Sequence, residues 1–426
     1  MAESVMTEIV DVAIIGAGPY GLSIAAHLSG AGMDYRIFGS PMHTWRTSMP
    51  EGMVLKSEGN ASNLYDPGGE LTLQKYCSQN GLPYAHTGYP IPLTTFIDYG
   101  IAFQRQFVPH LEDRQVAAAI PTPDGFDLRL QDGGLARARR LIVAAGIRAY
   151  EYIPPEIEGL PRSLVSHSAA HVKVSGFTGQ KIAIVGGGAS AVNLAALLHK
   201  NGADVTLIVR EDAVAYCGPP QPRTWLDRIK EPESGLGTGW RSWACCAMPG
   251  VFHAMPERFR LMVVRKHLPA APGWTLQPLV DGVVPTIAGA TIARARESGG
   301  RVNLELALRG GGTKALTADH VIAGTGYRVD MRRLAFLGQE ILDRLNCIDH
   351  TPRLSRRFES SIPGLFFVGT AAANSFGPMM RFAYGANFAA KRLTEYLSHS
   401  QMRGSVRRDR VQPSEWTKQG LAGTAG

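Results

Sequence analysis

One stretch of this chain occurs twice. Val12-Ala13-Ile14-Ile15-Gly16-Ala17-Gly18 returns as Ile182-Ala183-Ile184-Val185-Gly186-Gly187-Gly188, and Gly186 lies 170 residues after Gly16. Each copy is an apolar run of strand length that ends in glycines. A helix-forming stretch follows, Leu22–Ser29 in the first copy and Ala189–Lys200 in the second. Gly32 and Gly202 then stand where a helix is stopped by left-handed backbone. A second apolar run comes next, Tyr35–Phe38 and Val205–Val209. Strand, helix and strand at this pitch make a parallel sheet. Two copies at domain-scale spacing therefore predict two related domains.

The glycines carry a specific chemistry. Gly16-x-Gly18-x-x-Gly21, with Pro19 and Tyr20 between, follows a predicted strand and opens a predicted helix. In that setting the first glycine permits a tight turn and the second lets a pyrophosphate approach the backbone. The third lets helix pack closely on strand. The helix start adds unsatisfied N–H groups and the positive end of its dipole. Gly186-x-Gly188-x-x-Ala191, with Ala189 and Ser190 between, repeats the motif with alanine in third place, which the fingerprint permits. The expected fold class is α/β, with two Rossmann-like, doubly wound dinucleotide-binding domains.

The two copies predict different ligands. An acid about 20 residues past the first glycine binds the ribose hydroxyls in NAD sites. The first copy has Ile37-Phe38-Gly39-Ser40 at that place. This disfavours NAD(H) and leaves FAD, with ribose contacts drawn from the backbone at Phe38 and Gly39 or from Trp45 and Arg46. The second copy reaches Arg210 at the end of its second strand. An arginine there suits the 2′-phosphate of NADPH. Glu211 follows directly and could pair with it, so use of NADH stays open.

Between the copies, Phe96–Phe107 reads as helix. Gln115–Leu141 alternates polar and apolar residues around Pro123-Asp124-Gly125 and Asp132-Gly133-Gly134, as a small antiparallel meander does. It runs into Leu141-Ile142-Val143-Ala144-Ala145-Gly146, a buried strand with a tight turn; Val321-Ile322-Ala323-Gly324-Thr325-Gly326 is a second such ending. Tyr152–Pro161, with three prolines, reads as a hinge. Ala213–Pro285 is rich in Trp, Pro, Gly and Met and reads as a mostly helical insertion. The expected division is 1–165 with 325–400 for the FAD domain and 166–324 for the NADPH domain, which carries the insertion 213–285. A flexible tail is expected over 401–426.

Composition narrows the partners. The 426 residues are 45% hydrophobic and 19% charged, a globular balance. The net charge of +8 is scattered, apart from Arg403, Arg407, Arg408 and Arg410. No basic helix interleaved with aromatics occurs, so no nucleic-acid partner is expected. No apolar run reaches the roughly 18 residues of a membrane span, and no targeting segment is seen, so a cytoplasmic enzyme is expected. The five cysteines contain no C-x-x-C, so neither a metal site nor a disulfide framework is expected. Adjacent Cys245 and Cys246 fit disulfide geometry poorly. Self-association stays open.

Two nucleotide motifs about 170 residues apart, FAD first, resemble the class B flavin monooxygenases. That group holds flavin-containing monooxygenases, Baeyer–Villiger monooxygenases and lysine and ornithine N-hydroxylases. Trp45-Arg46 is similar to the tryptophan that those enzymes place beside the flavin site. His167-Ser168 resembles part of their linker fingerprint. Asp319–Tyr327 is similar to the Ala-Thr-Gly-Tyr signature of the N-hydroxylases, with Gly324 in place of alanine. Leu365–Thr370 looks like their last FAD-contacting strand, and Ser375-Phe376-Gly377-Pro378 like the turn that opens a helix toward the flavin. The resemblance implies FAD and NADPH as cofactors, with Ala145, Gly146, Gly326, Tyr327, Gly369, Gly377 and Pro378 near them. It implies a small-molecule substrate and O₂ as partners, hydride transfer from NADPH to flavin, and delivery of one oxygen atom to a soft or nucleophilic substrate atom.

Candidate catalytic groups follow from the same alignment of segments. Lys56, Asn60 and Asn63 lie in a polar stretch where relatives face the flavin, and Asn374 and Arg381 flank the flavin-facing turn. Arg381 suits a substrate carboxylate. His171 and His253 read as satisfied rather than catalytic. The tyrosine-bearing signature points to N-hydroxylation of an amine or amino acid. The alternatives are a FAD-dependent urate hydroxylase, an NAD(P)H oxidase or reductase without organic substrate, and a non-catalytic flavin-binding protein. A disulfide reductase would need a redox cysteine pair near the flavin, and the sequence offers none.

Overall fold

The computed structural model describes residues 8–267 and 270–409. The first sheet is built on β1 (Ile9–Ile15), β2 (Tyr35–Phe38), β3 (Val116–Thr122), β4 (Gly125–Leu130) and β5 (Leu135–Val143), in the order β2-β1-β5-β4-β3. The first three run parallel, and β4 and β3 continue antiparallel. One late strand, Leu365–Phe367, also joins β5 in parallel.

The sequence of β5 shows how it serves two neighbours. Its first half alternates exposed and buried residues, and its last three residues, Leu141, Ile142 and Val143, are all buried. Alternation suits a sheet with one wet face; a continuous apolar run suits a strand covered on both faces. Accordingly Leu135–Ala138 pair with β4, while Leu141–Val143 pair with Leu365–Phe367. The expected meander is thus the outer part of the first sheet.

The first helix spans Pro19–Gly30, starting earlier than the apolar pattern suggests, because proline is at home in a first turn. The expected 96–107 helix likewise begins earlier, at Leu93. In the second copy the helix is Ala189–Lys200 as expected, and the strand after it is Asp204–Ile208, one residue earlier than read.

The second sheet is parallel throughout. It contains β6 (Val165–His167), β7 (Lys181–Val185), β8 (Asp204–Ile208), Thr286–Ile287 and His320–Ala323. A three-stranded antiparallel sheet, Ala290–Ser298, Arg301–Leu308 and Thr313–Ala318, lies beside it. The expected architecture has one meander; the structure has two. The signal was the glycine turns at Gly299-Gly300 and Gly310–Gly312, with Val302, Leu304 and Leu306 buried between them. In both copies a meander therefore leads into the strand that pairs with the first strand of the repeat.

Two chain passages connect the sheets, and they run side by side. Glu151 and Tyr327 form an antiparallel bridge. Tyr152 N–H donates to Gly326 O at 3.0 Å and Arg328 N–H to Tyr150 O at 2.8 Å. The Arg328 guanidinium lies 3.4 Å above the Tyr152 ring.

The insertion is mostly helical, as expected, with helices Trp225–Lys230, Trp240–Ala247, Pro249–Ala254 and Glu257–Lys266. It leans onto the first domain, where Cys245, Phe252 and Val264 join the main core. The last helix, Ala386–Asp409, runs beyond the point where a frayed tail is expected. The rest of the expected tail, 410–426, lies outside the described residues.

Candidate functional site: two glycine turns and a cavity

Each glycine of the first motif has a steric reason in the structure. Gly16 has φ +112°, and a Cβ there would lie 2.2 Å from Ala144 O. A Cβ at Gly21 would lie 1.8 Å from Gly16 O, so only glycine lets the helix approach this closely. At Gly18 a Cβ would meet nothing within 4 Å. That space is clear for a ligand, and the helix behind it has no side-chain cap, so its first N–H groups are available to an anion.

The turn opens into a cavity of about 870 Å³, a size suited to a large cofactor. Gly16, Gly18, Pro19 and Tyr20 form one wall, and Phe38, Gly39 and Trp45 another. Ala145, Gly146, Gly369 and Arg381 also line it. Tyr20 O–H donates to the carbonyls of Met380 and Phe382, both at 3.0 Å, which ties the turn to the segment carrying Arg381. Trp45 packs edge-on against Phe96, with ring centroids 4.8 Å apart, so its orientation is fixed by the core.

The remaining first-domain candidates lie elsewhere. Gly21 sits beneath the turn in a packing role. Arg46 is exposed and reaches Pro41 O at 3.5 Å. Gly326 and Tyr327 belong to the passage between sheets, while Gly377 and Pro378 lie at the insertion, where a Cβ on Gly377 would touch Phe252 at 3.4 Å. Lys56 is exposed and does not line the cavity. Asn63 Oδ1 accepts from Leu73 N at 2.9 Å and its amide donates to Asn60 O at 3.1 Å, so these two asparagines brace a loop. Asn374 is buried and donates to Thr351 Oγ1 at 3.0 Å.

Several cavity groups were not legible beforehand. His43 and Arg148 both line it, and their Nε2 and Nη1 lie 2.7 Å apart. Arginine can only donate, so His43 accepts there and is neutral; burial, then Arg148, lowers its pKa. Glu151 and Arg333 enter from the two passages. Ser40, at the end of β2, lines the cavity and hydrogen-bonds Asp113. Asp113 thus stands in space near where the missing acid of the first copy would be.

Arg381 is the one candidate catalytic residue in the lining. Its Nη2 donates to His267 O at 2.8 Å, and burial lowers its pKa. Beyond it, Cys245 is buried and its thiol is pushed up to about 11, chiefly by burial. No cysteine lines the cavity, and among the described residues no cluster of metal-binding side chains occurs.

The second turn repeats the geometry with one addition. Gly186 has φ +135°, and a Cβ there would lie 2.4 Å from Gly324 O. Gly188 faces Ala270 O, 3.1 Å from where a Cβ would stand, and Ala189 N–H donates to that same oxygen at 2.6 Å. A carbonyl of the insertion therefore takes a donor that a pyrophosphate would use. Ser190 is exposed at the helix start, and Ala191 is buried beneath it. Arg210 lies just past β8 and its side chain is 78% exposed.

Where the passages meet, His167 is buried. Ala169 N–H donates to its Nδ1 at 3.2 Å, so Nε2 carries the proton and donates to Gly326 O at 3.0 Å. Burial is the main cause of its lowered pKa. Tyr327 stacks edge-on against it at 5.2 Å, and burial pushes the phenol up to about 12. Both groups are neutral and hold the junction by packing and hydrogen bonding. His253 is satisfied by Leu354 O at 2.8 Å.

Comparison with known proteins agrees with this construction. A ferredoxin–NADP reductase of Gluconobacter oxydans is 25% identical over 293 residues, covering 67% of this chain and 70% of that one. The FAD-bound cadaverine monooxygenase DfoA of Erwinia amylovora superposes with a TM-score of 0.72 at 17% identity, over 92% of this chain and 95% of that one. The ornithine N-hydroxylase KtzI of Kutzneria sp. 744 also gives 0.72, at 15% identity, over 92% and 100%. These two likenesses establish a shared fold. The family model for pyridine nucleotide-disulphide oxidoreductases matches residues 10–232, which include both glycine turns. The chain belongs to the pyridine nucleotide-disulphide oxidoreductase family.

Proposed function

We propose that the chain is an NADPH- and FAD-dependent monooxygenase that transfers one oxygen atom from O₂ to a small polar substrate, by N-hydroxylation of an amine or amino acid. The observation that carries this reading is the single cavity that joins a clear pyrophosphate seat at Gly18 to the half-buried Arg381. FAD would be held by the Gly16–Gly21 turn, by the end of β2, and by Gly146 and Gly369. NADPH would be held at the Gly186–Ala191 turn, where its pyrophosphate would displace the Ala270 carbonyl from the Ala189 N–H, with Arg210 at the 2′-phosphate. The flavin supplies hydride acceptance and oxygen activation when bound.

The chain's own residues supply binding, orientation and dryness. Trp45, Met49 and Phe382 give the cavity apolar walls, which keep water from a reactive site. Arg381 would bind a substrate carboxylate or another acceptor. The fold shared with the cadaverine and ornithine enzymes supports an amine substrate.

A second reading is a reductase without organic substrate, favoured by the Gluconobacter oxydans relative. One experiment separates the two. NADPH oxidation by the FAD-loaded protein is followed with ornithine, lysine, cadaverine, urate and no addition, while peroxide and hydroxylamine products are measured. The monooxygenase reading expects substrate-stimulated oxidation with hydroxylamine formed in near-equal amount. Oxidation that no substrate accelerates, with electrons passing to peroxide or to an added iron–sulfur acceptor, establishes the reductase instead.

A further inference from the structure

We propose that Arg309 is a specificity-determining residue of the second nucleotide site, selecting the 2′-phosphorylated cofactor by holding the carboxylate of Glu211. The inference rests on the reading of the second glycine turn as an NADPH seat.

Past β8 the chain continues Val209-Arg210-Glu211-Asp212. An acid at this place accepts the ribose hydroxyls of NADH, and an arginine favours the phosphate of NADPH. This chain carries both, so Arg210 alone does not settle the preference. The deciding group comes from a distant stretch of the sequence. Arg309 follows the strand Arg301–Leu308 and is 99 residues from Arg210. Its Nη2 donates to Glu211 Oε2 at 3.1 Å and to Arg210 O at 3.0 Å, and its Nη1 donates to Asp212 Oδ2 at 2.9 Å. Glu211 Oε1 accepts from Arg210 Nε at 3.2 Å. Both oxygens of the competing acid are therefore engaged, and the described bond of Arg210 uses Nε, leaving its terminal fork for an incoming anion.

The arrangement is anchored in the backbone. Arg309 N–H donates to Gly289 O at 2.7 Å, and Gly289 N–H to Glu211 O at 2.8 Å. Gly289 has φ +62°, and a Cβ there would stand 3.4 Å from Asp212 Oδ1 and 3.5 Å from Arg309 Cβ. The side chains stay open to solvent, with Arg309 50% and Glu211 61% exposed, so a phosphate has access. Without Arg309, two carboxylates would stand free beside a dianionic phosphate, and Glu211 would be available to ribose hydroxyls.

The test uses the FAD-loaded protein and equilibrium binding, measured by calorimetry, of 2′,5′-ADP against 5′-ADP and of NADPH against NADH. The wild type is expected to favour each phosphorylated ligand at least about tenfold. Arg309→Ala is expected to lose most of that ratio, with weaker NADPH and equal or tighter NADH. Arg309→Lys should keep part of it. Adding Glu211→Gln to Arg309→Ala should recover preference, because the freed charge is gone. The flavin spectrum and circular dichroism check that each variant is folded; if Arg309→Ala fails to fold, Arg309→Gln takes its place, where a reduced NADPH-to-NADH ratio supports the same account and an unchanged ratio overturns it. A ratio within twofold of wild type in Arg309→Ala, or a wild type that binds both ligands equally, overturns the role of Arg309 while leaving a nucleotide site. A wild type that binds neither nucleotide overturns the NADPH seat itself.

Discussion

Ala191 and Gly324 share one methyl-sized space: a Cβ built on Gly324 would lie 2.5 Å from the Ala191 Cβ and 2.9 Å from its Cα. The first copy divides the same space the other way, with Gly21 on the helix and Ala144 at the strand end. Gly16 faces Ala144 O as Gly186 faces Gly324 O, which makes the two positions equivalent. Gly324→Ala is thus expected to overpack the second turn and cost about 1–3 kcal/mol. Adding Ala191→Gly should restore part of the loss. Chemical denaturation monitored in the second domain checks both; a Gly324→Ala protein as stable as wild type would contradict the packing argument.

Gly21→Ala should be the harsher change. Its methyl would fall 1.8 Å from a backbone oxygen, which cannot rotate away. The helix must then lift from β1, and the pyrophosphate seat goes with it. The expected outcome is protein that purifies without yellow colour and takes up FAD at least about a hundredfold more weakly, roughly 2.7 kcal/mol. Flavin absorbance after reconstitution measures it.

The first copy lacks the ribose-binding acid in sequence, but Asp113 is placed beside Ser40. Asp113→Ala should weaken FAD binding about three- to tenfold with little change in fold, since the residue is exposed. Titration of apoprotein with FAD reads the effect. Unchanged affinity would place the ribose contacts on backbone alone.

Acid sensitivity is expected from a histidine cluster under the second sheet. Ser166 Oγ lies 2.6 Å from His171 Nε2 and 2.7 Å from His320 Nε2. Burial first, then the nearby His320 and His167, lower the His171 pKa to about 4. In the unfolded chain histidine titrates near about 6.5, so the unfolded state binds the extra proton in that interval. The stabilisation is complete above about 6.5 and declines as pH falls toward about 4. Melting temperature against pH should bend downward over this interval. His171→Gln, which keeps a donor toward Ser166, should flatten the bend.

The sequence disclosed what repeats and what alternates. The duplicated strand and glycine turn located both nucleotide folds, and the alternation in Gln115–Leu141 located a meander. What it could not disclose depends on distant segments meeting. Arg148, Glu151 and Arg333 have no local pattern; the cavity collects them from two distant stretches, and Asp113 reaches its edge only through Ser40. Asn63 and Asn374 have the polarity of site residues, yet their amides satisfy neighbouring backbone and hydroxyl groups. The second meander was missed because its edge strands, Ala290–Ser298 and Thr313–Ala318, are largely exposed and carry few apolar residues.

The late strand Leu365–Phe367 ties assembly to the order of synthesis. It completes the sheet begun by residue 9, and Val368, Gly369 and Thr370 beyond it close the cavity. A nascent chain stopped after β5 holds the glycine turn but lacks this wall. The last wall of the cavity is thus encoded beyond the whole second sheet, and a chain lacking it leaves Leu141–Val143 of β5 without their outer partner.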